Sequence, residues 1–197
     1  MSDHDSAIRG LPRWHPNPHV RSSIDTIRRN GWQVTAVSDL CSCSSPDCVP
    51  PDCPFAYTAG LTLHDIPELA VYGLDPVTSA RVLNELGELL HHNDWQTLVA
   101  GRVEVALAAV DVPVRLIEIV DKDDMLMANL LFADSPALQV VWPDEYGQFP
   151  WDDGYALLEM HQPIMGIDDT GTAYQRAPRV ITGNRAARRR AAQRRSS

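Results

Sequence analysis

The stretch from residue 55 to residue 90 constrains the fold more than any other. FAYTAGL (55–61) places Phe55, Tyr57 and Ala59 on one face of a strand, and LAVYGL (69–74), after the punctuation of Pro67, reads as a second strand. The two runs are close enough in the chain to pair as neighbours. Asp75-Pro76 then opens a helix, because aspartate accepts hydrogen bonds from the first free N–H groups and proline fits the first turn. Val77, Ala80, Leu83, Leu86 and Leu90 recur at three- and four-residue intervals, an apolar stripe that has to lie against a sheet.

The flanking segments extend this pattern. Ser22 and Ser23 cap a short helix in which Ile24 and Ile27 share a face, Asn30-Gly31 stops it, and Trp32, Val34 and Val37 suggest a strand. Downstream, 103–110 and 114–120 read as two strands joined through Asp111, Val112 and Pro113. Asp123 and Asp124 cap a second core-facing helix over 125–132, and Leu138 to Trp142 form an apolar strand. This order does not alternate as a doubly wound fold would. The expectation is an α+β fold, a single domain with a largely antiparallel sheet and helices packed on one face. The domain spans 21–168, with a loosely ordered lead-in (1–20), a Cys-rich loop (38–54) and a disordered tail (169–197).

Charge is unevenly spread. The formal net charge is −9, yet residues 185–197 hold six arginines and no acid, so an acidic body carries a basic tail. Such a tail suits weak, non-specific nucleic-acid contact through phosphates over 185–195. No apolar run approaches the roughly 18 residues that a membrane helix needs, so no membrane partner is expected. The start MSDHDSAIRG lacks a basic stretch followed by an apolar one, so the expected compartment is the cytoplasm.

Several constellations carry possible chemistry. Cys41, Cys43, Cys48 and Cys53 lie in one proline-stiffened loop, where four thiolates can converge on zinc or remain free or redox-active. His64, Asp65 and Glu68 follow the FAYTAGL strand closely, an arrangement suited to a general base or a cation ligand, or else to a solvated loop. Asp144 and Asp152 are candidate catalytic carboxylates beside Glu145 and Asp153, and equally are turn formers. His91 and His92 end the long helix, where imidazolium interacts favourably with the helix dipole, and Asp94 can pair with either. Tyr57, Thr58 and Gly60, with Trp142 and Trp151, are candidate ligand contacts. Thr58, Gly60 and Thr62 also resemble in outline the strand end of flavin-binding split barrels, but no Gly-rich phosphate loop accompanies them, so a flavin has little support.

Taken together, FAYTAGL (55–61), PELAVYGL (67–74), LNELGELL (83–90) and ALQVVWPDEYGQFPWDDGY (137–155) resemble the bacterial domain of unknown function 4262 family, over about residues 24–166. The resemblance implies one domain and no activity, and the Cys-rich loop departs from its pattern as an insertion. The leading reading is a module that binds a small molecule or a protein partner through a surface built by 57–62, 64–68 and 142–155. The alternatives are an enzyme that uses the clustered carboxylates and His64, metal- or flavin-assisted, and a nucleic-acid accessory protein recruited by the tail.

Overall fold

A computed structural model describes residues 4–40 and 51–166. Its centre is a five-stranded sheet of β1 (Gln33–Val37), β2 (Phe55–Ala59), β3 (Glu68–Tyr72), β4 (Arg115–Glu118) and β5 (Ala137–Val141), in the order β1-β2-β3-β5-β4. β1–β2, β2–β3 and β4–β5 are antiparallel, whereas β3 and β5 run parallel with Glu68 opposite Ala137 and Val71 opposite Val140. The sheet is therefore mixed rather than largely antiparallel. A parallel pair needs a long crossover, and here it comprises α3 (Pro76–Leu90), α4 (Trp95–Ala100), β4 and α5 (Leu126–Leu131).

The helices cover both faces rather than one. On one face Val82, Leu83, Leu86 and Leu90 of α3 pack against Ala56, Leu69, Val71, Leu116, Leu138 and Val140. On the other, Val20, Ile24 and Ile27 of α2 (Pro18–Asn30), with Met125 and Ala128 around α5, cover Phe55, Tyr57, Ala59, Ala70, Tyr72 and Ala137. The physical reason is in the strands. β2, β3 and β5 are buried at every position, as strands that lack a polar face must be. Each large aliphatic side chain so buried contributes roughly 1.5–3 kcal/mol.

Local signals set most helix ends. Asp75 accepts from the N–H groups of Val77 and Thr78 at 3.0 and 3.1 Å, with Pro76 in the first turn of α3. α2 starts earlier than its serines suggest, because Asn17 is the cap and accepts from the His19 N–H at 2.9 Å; Ser23 lies inside the helix and donates to the His19 carbonyl. Gly31 ends α2 at φ 92°. Asp94 pairs with no histidine; it caps α4, a helix that periodicity does not reveal. Of the strand expected over 103–110 only an isolated bridge, Val105 to Val114, forms. No acid caps α5, and Leu126 and Leu130 on it are exposed.

Two glycines test how tightly the far end of the sheet is packed. Gly73 sits at φ 82°, and a Cβ there would run into the His161 carbonyl, whereas Gly147 at φ 79° has open space around it. Gly147→Ala should lose only the left-handed penalty of about 1–2 kcal/mol. Gly73→Ala should add an overpacking cost of about 1–3 kcal/mol. Chemical denaturation of both variants checks this, and equal losses would remove the Gly73–His161 approach as a constraint.

Candidate functional site

The residues singled out in the sequence separate into two groups at opposite ends of the β3–β5 pair. Thr58, Gly60, His64 and Glu68 lie where β3 begins. Trp142, Asp144, Asp152 and Trp151 lie beyond the end of β5, with the Trp142 indole N–H donating to the Tyr72 carbonyl at 3.0 Å. The four residue steps of β3 separate the two groups by roughly 13 Å. One pocket does not join them.

At the first end Glu68 is fully buried, at 0% exposure. Its carboxylate accepts from the Thr58 hydroxyl (2.7 Å) and from the N–H groups of Gly60 (2.8 Å) and Thr62 (3.2 Å). Thr58 in turn accepts from the Leu69 N–H at 2.8 Å. Burial pushes the Glu68 carboxyl above its ordinary range, against the pull of these donors. All its hydrogen bonds go to the turn it closes, so it is no partner for His64. Tyr57 is also a core residue: its hydroxyl accepts from the Met127 N–H at 3.1 Å, and burial raises its pKa.

At the second end the acids organise loops. Asp144, 3% exposed, accepts from the N–H groups of Tyr146, Gln148 and Ala156 at 2.9, 2.9 and 2.8 Å. Burial pushes its carboxyl upward, and these three donors outweigh that and hold it below the usual range. Asp152 accepts from the Phe149 N–H at 2.8 Å, the turn-forming arrangement. Gln162 exchanges two hydrogen bonds with the Trp142 backbone, at 2.9 and 2.8 Å. Trp151 stacks on Phe149 at 5.5 Å, and its indole N–H is buried without a hydrogen-bond partner among the described residues.

His64 belongs to a different constellation, which local sequence does not show. It closes a short 3-10 turn (Leu61–His64) after Gly60, whose φ of 119° brings the turn against the end of α2. A Cβ on Gly60 would stand 2.9 Å from the Gly31 carbonyl oxygen, so only glycine permits the approach. The turn delivers His64 between His4, whose ring stacks at 5.8 Å, and His91, edge-on at 5.2 Å. These rings, with Arg29, Gly31, Trp32, Glu88 and His92, line an open cleft of about 330 Å³. Trp32 is pinned there by donation from its indole to Asn84 at 2.9 Å. His4 uses Nε2 on the Arg28 carbonyl at 2.9 Å. The His64 Nε2 is buried beside the Gly31 backbone and makes no well-aligned hydrogen bond among the described residues. Burial, then His91 and His4, lower the His64 pKa, while the Gly31 backbone and Asp65 push the other way.

Cys41, Cys43 and Cys48 lie outside the described residues, as does the 185–195 tail; Cys53 is buried. Among the described residues no set of three His, Cys, Asp or Glu side chains is arranged to hold a metal ion. No described helix is long and apolar enough to cross a membrane.

Glu68→Ala leaves three donors without their acceptor, at about 1–3 kcal/mol each before relaxation, and should destabilise the fold by about 3 kcal/mol or more. Glu68→Gln keeps an acceptor for the two N–H groups and should cost about 1 kcal/mol. A carboxyl whose folded pKa is raised favours the fold below its unfolded pKa and loses that contribution as pH rises through the folded value. The stability of Glu68→Gln relative to wild type should therefore improve from pH 4 to pH 7 in denaturant titrations; a constant difference would show that the Glu68 pKa is not raised. For His64 the ring resonances should titrate below the ordinary histidine value and move upward in His91→Ala, and an unchanged midpoint would remove the coupling.

The family model described as Domain of unknown function (DUF4262) matches residues 26–156, from within α2 to the loop that Asp144 closes. No curated protein and no solved structure matches the chain. Arg29, Trp32, His64, Glu88 and His91 fall inside the matched residues and His4 falls outside them. With more than half of its length matched, the chain belongs to the DUF4262 family.

Proposed function

We propose that the chain is a small-molecule-binding module whose site is the histidine-lined cleft at the end of α2 and α3. The observation that carries this reading is the cleft itself, an opening of about 330 Å³ where the Trp32 indole and the rings of His4, His64 and His91 meet from four separate segments. The cleft lies at the small end of the range for ligand sites.

The enzyme alternative has less support. General-base chemistry by histidine wants an orienting carboxylate within hydrogen-bond reach. Glu68, Asp144 and Asp152 are instead engaged by backbone and hydroxyl donors, in turns that depend on them. A binding role asks only for shape and ring faces.

A fragment library screened by saturation-transfer NMR tests the site. Glu88 is exposed on the cleft wall, so Glu88→Trp fills the cleft without touching the core. Fragments that bind the wild type should lose at least tenfold in affinity in this variant while its Tm stays unchanged. Binders indifferent to the filled cleft would place the site elsewhere.

A further inference from the structure

Resting on the cleft reading, we infer that the ligand is a small organic cation, an ammonium group carried on a compact apolar body. The field of the cleft favours it. α2 ends at Asn30 and α3 at Leu90, and the residues that follow these ends, Gly31 and His91, both line the cleft. Helix C-termini carry partial negative charge and exposed carbonyls, which attract cations and repel anions. Two such ends converge here, and Glu88 adds a full negative charge on the wall.

Besides Glu88 the lining carries Arg29 and the imidazoles of His4, His64, His91 and His92. Arg29 is exposed at the rim, where its Nε donates to the Asp25 carbonyl on its own helix at 3.1 Å. His64 is held toward its neutral form by burial and by its two histidine neighbours. A neutral imidazole carries no charge to repel an ammonium group.

The walls suit the rest of such a molecule. Trp32 is fixed by Asn84 and lies against Gly87 of α3, where a Cβ would stand 3.2 Å from its ring. Indole is the best of the side-chain faces for a cation. A metal ion fits less well, since no three His, Cys, Asp or Glu side chains among the described residues are arranged to hold one, and the His4 Nε2 is already engaged by the Arg28 carbonyl.

The test uses the full chain and two probes of matched shape and opposite charge, benzylammonium and benzoate. The ring resonances of His4, His64 and His91 and the Trp32 indole resonance are followed at pH 7.5. Benzylammonium should shift them saturably and benzoate should leave them in place. Trp32→Leu and Glu88→Gln should each weaken benzylammonium at least fivefold, with unchanged Tm for Glu88→Gln. Benzoate binding in place of benzylammonium would overturn the cationic class and leave the cleft as a ligand site. Displacement of the same resonances by zinc alone would replace the organic cation with a metal. Silence from both probes would also overturn the cationic class; the cleft itself falls only if the fragment screen finds no binder sensitive to Glu88→Trp.

Discussion

The buried carboxylate of Glu68 is the constraint from which the rest of this end of the molecule follows. A carboxyl with no exposure must find donors or be very costly to bury, and the donors come from Thr58 in β2 and from the turn that follows it. That requirement fixes the path of the chain through Gly60 and Thr62. It also explains the left-handed backbone at Gly60, which aims its N–H into the carboxylate while its missing Cβ lets the turn meet the end of α2. The 3-10 turn that follows then points His64 into the cleft. Glu68 thus holds the turn that carries His64 to the cleft.

The opposite end of the sheet is built on the same principle with a different outcome. Asp144 and Gln162 gather backbone groups of the 142–156 loop until few polar atoms remain for a ligand. One end of the parallel pair is therefore closed by loops, with the Trp151 indole N–H left over, and the other opens onto the histidine-lined cleft. Aromatic and acidic density in a sequence does not distinguish these outcomes. What distinguishes them is how many backbone donors the acids meet, and that depends on turns closing over a dozen residues.

Much of the architecture is legible residue by residue, and the failures share a cause. The start of α3 at Asp75-Pro76, the Leu83, Leu86 and Leu90 part of its apolar stripe, the stop at Asn30-Gly31 and strands β2, β3 and β5 are local patterns, and the structure has them; Val77, expected on the same stripe, is exposed. The parallel pairing of β3 with β5 is a non-local choice made across four intervening elements, and no local periodicity encodes it. The unbroken apolar character of those strands does signal burial on both faces. The second helix layer could have been read from it. The cleft is less legible still: His4, Trp32, His64 and His91 come from four separate segments, so each alone reads as a solvated or capping residue.

The cleft also has parts of unequal strength. Its floor, at Gly31, Gly60 and Trp32, is continuous with the core through Ile27, Leu61 and Leu86, all fully buried. Its His4 wall belongs to a four-residue helix, too short to hold itself. That wall depends on the Arg28 carbonyl bond to His4, on the Arg28 guanidinium reaching the carbonyls of Leu11 and Pro12 at 3.0 and 3.1 Å, and on burial of Leu11. Such a segment opens at a free energy far below that of global unfolding. The family-matched residues hold the floor and most of the lining, and the segment ahead of them supplies the part most easily moved. The His4 wall is therefore the least firmly held side of the cleft, while the helix ends and Trp32 are its fixed part.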